Sequence, residues 1–231
     1  MKFNKSANFL LLTLSVYLPL GFSQNKPKNS TNNQESYQNL PDGIIKREVS
    51  SFTKMGAKNP IFAESAIKLI EFPIYNCSGS HVGFHHKKQN RRVSIYANAF
   101  DASGHQLIFD KFDTTKLLLI DNKPFWGTNG SIPDSRFYYV SYIHVKYVYR
   151  LPSSAFDGLY EPKFCTFIPP KKKVKETKPT KNITEVFARA FCSADGKRVY
   201  IYMVNGEENA RYEVTWILQN GEYDGRVIDN L

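Results

Sequence analysis

Cysteine is scarce in this chain, with three in 231 residues, at positions 77, 165 and 192. Spacings of 88 and 27 residues give none of the short paired-ligand patterns of a zinc site, so no metal site is built on them. The chain also has no G-x-S-x-G, no H-E-x-x-H and no glycine-rich loop to cradle a phosphate. Those absences remove the motif-bearing enzyme classes, while a dispersed triad leaves no local trace. Long apolar runs are missing too. The longest, Phe9–Leu18, has ten residues, too few to cross a bilayer, so stable membrane insertion is not expected.

That short run sits in a recognisable context. Lys2 and Lys5 precede it, and Gly21-Phe22-Ser23 follows with small residues at the −3 and −1 positions before Gln24. Residues 1–23 therefore read as a signal peptide, and the protein is expected to be secreted. Cleavage would leave 208 residues and remove two lysines and no acid. The formal charge then falls from +10 to +8, with 29 basic residues against 21 acidic. A surplus of that size favours polyanionic partners. In an oxidising compartment, three cysteines imply one disulfide among Cys77, Cys165 and Cys192, with one thiol left over.

Residues 24–43 are polar and Asn-rich and read as a disordered leader, followed by a helical segment over 44–73. Within it, Ile45, Val49, Phe52 and Met55 fall at helical spacing up to Gly56. Asn59-Pro60 starts a second helix, with Phe62, Ala66, Leu69 and Ile70 on its face, that Pro73 stops. Phe137–Arg150 reads as one long strand with apolar odd positions and a wet even face of Tyr138, Tyr142, His144, Lys146 and Arg150. Residues 169–182 are a basic, Pro-punctuated linker. The KKKVK run within it has the look of a nuclear-import signal, which a secreted chain would use only if delivered into another cell.

Asn182–Glu185 resembles a capping box, and Ile183, Val186, Phe187, Ala190 and Phe191 have the spacing of a short helix. Asp195-Gly196 then turns the chain into strands at Arg198–Val204 and Tyr212–Gln219. Asn220-Gly221 signals a tight hairpin in which Leu218 faces Tyr223, Trp216 faces Gly225 and Val214 faces Val227. Two stretches also read alike: Tyr96–Phe100 with Phe187–Phe191, and Asn122–Gly127 with Asn220–Gly225, each copy preceded by a cysteine and a basic loop. The expectation is an α+β fold of short helices packed on antiparallel sheet. A first unit would span 74–168 and a second 183–231.

Phosphate-binding chemistry is concentrated in HHKKQNRR at 85–92. There Lys87 and Lys88 supply point charge, and Arg91 and Arg92 can fork bidentate bonds. The strand residues Tyr142, Lys146 and Arg150 can stack a base or a sugar while holding an anion. His81, His85 and His86 have a spacing that suits a metal on a helix. Gly83 and the adjoining basic run favour a loop that repels cations, so neither a metal nor a cofactor is expected. Asn29, Asn76, Asn129 and Asn182 stand in N-x-[ST] sequons.

Tyr75-Asn76-Cys77 resembles the Tyr-x-Cys signature of fungal secreted effectors with a ribonuclease-like fold, known best from powdery mildews. The strand Tyr223-Asp224-Gly225-Arg226-Val227-Ile228 is similar to the closing strand of that family and of the small fungal ribonucleases. The resemblance implies two ribonuclease-like units in tandem, given the internal repeat. It places Asp229, and Ser131 in the other copy, where the ribonucleases carry a catalytic histidine. Serine cannot protonate a leaving oxygen, and aspartate could do so only with a strongly raised pKa. The implied protein is a non-enzymatic effector, delivered toward host cells, that binds a host protein or RNA. The alternative is an extracellular or periplasmic β-rich domain recognising glycans or surfaces. Tyr-x-Cys lies about fifty residues beyond the cleavage site, later than in the family, and no C-terminal cysteine follows to pair with Cys77.

Overall fold

The computed structural model describes residues 35–59, 67–167 and 183–231. The expected signal peptide over residues 1–23, residues 24–34, Phe62, Ala66, the basic stretch 169–182, Asn29 and Asn182 lie outside the described residues. Two helices come first, α1 (Ile44–Ser50) and α2 (Lys54–Ala57). Fourteen strands follow among the described residues: β1 (Ile70–Glu71), β2 (Ile74–Cys77), β3 (His81–His86), β4 (Arg91–Ala99), β5 (Leu107–Phe109), β6 (Leu117–Ile120) and β7 (Ser135–His144), then β8 (Tyr147–Arg150), β9 (Cys165–Phe167), β10 (Ile183–Val186), β11 (Ala188–Cys192), β12 (Arg198–Asn205), β13 (Tyr212–Gln219) and β14 (Glu222–Asn230). They are mostly antiparallel sheet with a few short helices, as an α+β fold requires.

Two five-stranded antiparallel sheets dominate. The first runs β2-β3-β4-β7-β8 and the second β1-β11-β12-β13-β14. Their inner faces bury one shared core, to which the first sheet contributes Val82, Phe84, Val93, Ile95, Phe137 and Val140. The second contributes Ala190, Val199, Ile201, Val214, Trp216 and Leu218. Phe137 meets Trp216 edge-on across the gap, ring centres 5.1 Å apart. The tip of the β13–β14 hairpin abuts Tyr149, because a Cβ at Gly221 would sit 2.4 Å from that ring. The Cys77–Cys165 disulfide ties β2 to β9, and Cys192 is a buried free thiol.

The far side of the second sheet is covered by the N-terminal segment, where Tyr37, Val49 and Phe52 pack on Phe191, Tyr200, Tyr202 and Ile217. Three carboxylates fasten that layer. Glu48 takes a bidentate pair from Arg198, at 2.7 and 2.9 Å, and accepts from the Tyr200 hydroxyl. Glu213 accepts from Lys54 N and Met55 N at the start of α2 and from Tyr202 Oη. Asp229 accepts from Ser36 Oγ at 2.5 Å and Tyr37 N at 3.0 Å. The result is three layers: helical segment, second sheet, first sheet. Among the described residues no helix is long and apolar enough to cross a membrane.

Several sequence expectations change here. The helix expected over 183–191 is instead β10 and β11, because Ala188, Ala190 and Cys192 alternate inward onto the core while Arg189 stays exposed. A short apolar run fits both periods, and sheet pairing decides it. The long strand over 137–150 is a hairpin of β7 and β8, turned at Val145, whose φ is 57°. A bulge at Tyr138 inverts its parity, since Tyr96 and Ala97 pair with Tyr139 and Phe137. Even positions 140–144 therefore point inward. The hairpin expected at 214–227 keeps Leu218 opposite Tyr223. A bulge then sets Ile217 opposite Gly225, Trp216 opposite Arg226 and Val214 opposite Ile228.

The first helix breaks after Ser50, and Thr53 caps α2 through Gly56 N. Leu69 is not helical, and Ile70 belongs to β1. His81–His86, expected as a loop, is strand β3. Residues 35–43, expected as part of a disordered leader, instead pack on the second sheet, where Tyr37 is fully buried and Asp229 holds its backbone. The segments matched by the repeat occupy different places. Tyr96–Phe100 falls at the end of β4, whereas 187–191 leads into and fills most of β11, and the two halves share a single core.

Candidate functional site

The outer face of the first sheet has no covering layer among the described residues. Its strand sequences, IYNC, HVGFHH, RRVSIYANA, SRFYYVSYIH and YVYR, contain no aspartate or glutamate. Strand alternation sends Val82, Phe84, Val93 and Ile95 inward and His81, His85, Arg92, Ser94 and Tyr96 outward. Register then builds an aromatic ladder across three strands. His81 stacks on Tyr96 at 4.2 Å, Tyr96 lies 5.8 Å from Tyr139, and the Arg150 guanidinium sits 5.3 Å over the Tyr139 ring. The next row on this face is Gly83, Ser94 and Ser141, and in the row beyond it His85 pairs with Arg92, which pairs with Ile143. Tyr75 lies over the bare backbone of Gly83, where a Cβ would be 2.4 Å from its ring, and meets His85 edge-on at 6.2 Å.

His81 and His85 both have their pKa shifted down, which favours the neutral ring. Burial lowers the pKa of His81, and burial followed by the charges of Arg92, Lys87 and His86 lowers that of His85. Neutral rings stack, so this face offers flat surfaces between fixed cations. A depression of about 520 Å³ lies at one end, between Pro73–Tyr75 and His85–Lys88. A cavity of about 450 Å³ lies at the other, where Tyr139 and Arg150 meet Arg136, His105 and the 153–160 loop. There His105 Nδ1 lies 2.6 Å from Asp121 Oδ2, and Arg136 Nη1 lies 3.3 Å from His105 Nε2. The hydrogen bond from His105 holds the Asp121 carboxyl below its ordinary range.

The basic candidates divide. Lys87 and Lys88 are exposed on a 3₁₀ turn after β3, and Arg92 is exposed on the face. Arg91 is not part of any fork with Arg92. It is the preceding residue on β4, points the opposite way, is buried, and donates Nη1 to Gly196 O at 3.0 Å. Tyr142 is also inside, 2% exposed and stacked on Tyr149 at 5.9 Å, and burial pushes its hydroxyl up to about 12. Lys146 sits in the β7–β8 turn beside the Tyr147 ring, away from the ladder. Arg150 alone of the Tyr142–Lys146–Arg150 stripe joins the site.

Asp229, the position matched to a ribonuclease histidine, is 8% exposed and occupied with the N-terminal segment; burial raises its pKa. Among the described residues no cluster of histidine, cysteine or acid could hold a metal ion. No sequence signal announces the ladder or the cavity, because His81, Tyr96, Tyr139 and His105, Asp121, Arg136 are each drawn from separate segments. Comparison with protein families, curated proteins and solved structures finds no match to this chain.

Proposed function

We propose that this chain is an exported, non-enzymatic, effector-type protein that binds single-stranded host RNA on the outer face of the first sheet. One observation carries this: five strands without an acid present the His81–Tyr96–Tyr139 ladder with Arg150 over its Tyr139 end and Arg92 two rows further along the same face. Sequence-tolerant binding of single strands needs that combination, base stacking on rings and a positive track for phosphates. The Cys77–Cys165 disulfide fits an oxidising compartment and therefore supports export. The two sheets are both five-stranded and antiparallel, but the second takes its edge strand β1 from ahead of the first, so a duplicated, ribonuclease-like ancestry rests on the sequence repeat alone. The commitment of Asp229 to Ser36 and Tyr37 supports binding without cleavage.

The test is fluorescence anisotropy of a labelled single-stranded RNA across a salt series. Replacing Lys87, Lys88, Arg92 and Arg150 with alanine should reduce the log–log slope by up to about 0.7 for each phosphate no longer neutralised. Arg91→Ala should instead lower stability and leave the slope of the folded protein unchanged. A salt-independent affinity for neutral oligosaccharide, with no RNA binding at low salt, would move the face to glycans. Capture of a protein without RNA would move it to a host protein. RNA cleavage abolished by Asp229→Ala or His105→Ala would make the protein an enzyme.

A further inference from the structure

The cavity at the Arg150 end of the face has a composition that the ladder does not explain. Its apolar lining includes the half-buried Phe125 and Phe156, and Tyr138, 67% exposed, also lines it. Arginine can only donate, so His105 Nε2 accepts from Arg136, and the imidazole proton sits on Nδ1, facing Asp121. The Asp121 charge is thus directed at His105 rather than at Arg136. Lys123 is already paired with Asp157 at 2.8 Å. Among the described residues neither Arg136 nor Arg150 has a carboxylate within 4.0 Å, although both line the cavity. Two guanidiniums outside ion-pair range of any described carboxylate, in a cavity whose own Asp121 and Asp157 are engaged by His105 and Lys123, call for an oxyanion with several oxygens attached to a flat group. A volume of about 450 Å³ lies within the ordinary range of small-ligand sites.

The geometry points to this cavity as a site for a nucleoside monophosphate, free or as the phosphorylated end of a strand lying on the sheet. The phosphate binds Arg136 and Arg150, and the base lies against Phe125, Phe156 and the Tyr138 ring. The free-nucleotide form stands on the cavity alone, while the strand-end form rests on the RNA proposal. Continuity is built in, since Tyr139 and Arg150 belong to both the ladder and the cavity.

Calorimetric titration at fixed ionic strength tests it with uridine 5′-monophosphate, uridine and inorganic phosphate as probes. The monophosphate should bind, with uridine and phosphate each about tenfold weaker or more, because each smaller probe carries only one of the two recognised groups. Arg136→Gln should weaken the monophosphate about tenfold. Arg150→Gln, on an exposed edge where folding is not at risk, should weaken it in the same direction with an unchanged melting temperature. Absence of monophosphate binding, or binding indifferent to both substitutions, overturns the proposal.

Paired RNA oligomers with and without a 5′-phosphate separate the sources. Preference for the phosphorylated end places strand ends in the cavity. RNA binding with no such preference and no monophosphate binding refutes the cavity and leaves the face intact. Monophosphate binding without RNA binding supports the cavity and removes the RNA face.

Discussion

Trp216→Ala removes the largest side chain of the shared interior. Trp216 is fully buried on β13, meets Phe137 and Phe156 edge-on at 5.1 and 6.0 Å, and donates its indole N–H to Ala155 O at 2.8 Å. Truncating a buried aromatic to alanine costs about 3–5 kcal/mol in transfer and cavity terms. Removal of the indole hydrogen bond adds about 1 kcal/mol at most, because Ala155 O keeps Arg226 Nη1 at 3.1 Å and is not orphaned. The aromatic packing is partly counted in the truncation, so a loss of about 5 kcal/mol is expected. For a chain of this size that lowers the melting temperature by roughly 10–20 °C. Urea unfolding followed by circular dichroism is the assay, and the midpoint should fall at unchanged m. Trp216→Phe keeps the edge-on packing and should lose only about 1–2 kcal/mol. A loss under about 1 kcal/mol for the alanine variant would refute a shared core closed by this residue.

Thiol titration should find no reactive cysteine in the native protein and one after unfolding without reductant, since Cys77 and Cys165 are joined and Cys192 is buried; a reactive native thiol would contradict that pairing. Cys77→Ser with Cys165→Ser opens a loop spanning a sequence separation of 88, and should cost about 4–5 kcal/mol on loop entropy. Burial raises the folded pKa of Asp229, so the folded state holds its proton to higher pH than the unfolded chain, whose carboxyl titrates near about 3.9. Wild-type stability relative to Asp229→Asn should therefore fall as pH rises from about 4 through the raised value and then level off. A relative stability that climbs over that interval would mean that the hydrogen bonds from Ser36 and Tyr37 outweigh desolvation.

Much of the second sheet was legible in sequence because its signals are local. Asp195-Gly196 and Asn220-Gly221 fix turns, and the runs Arg198–Val204 and Tyr212–Gln219 are long and apolar enough to be strands under any packing. The first sheet hid itself through one residue: the Tyr138 bulge inverts alternation along β7, which carries Tyr142 from the expected wet face into the core. Arg91 and Arg92 looked like one phosphate clamp, because adjacency in sequence does not show that a strand will send them to opposite faces. Ordering of Ser36 and Tyr37 depends on Asp229, almost two hundred residues away, and no local pattern encodes that pairing. The ladder is likewise a product of register, with one ring from each of three strands.

Where RNA touches the protein can be read directly by ultraviolet cross-linking of a 4-thiouridine-substituted single strand, followed by peptide mapping. Cross-links should fall on Tyr75, Tyr96, Tyr138 or Tyr139, the exposed or half-exposed rings of the first sheet and its cavity. Cross-links confined to the basic stretch 171–175 or to the helical layer over residues 36–57, with the first sheet untouched, would contradict RNA binding on that sheet.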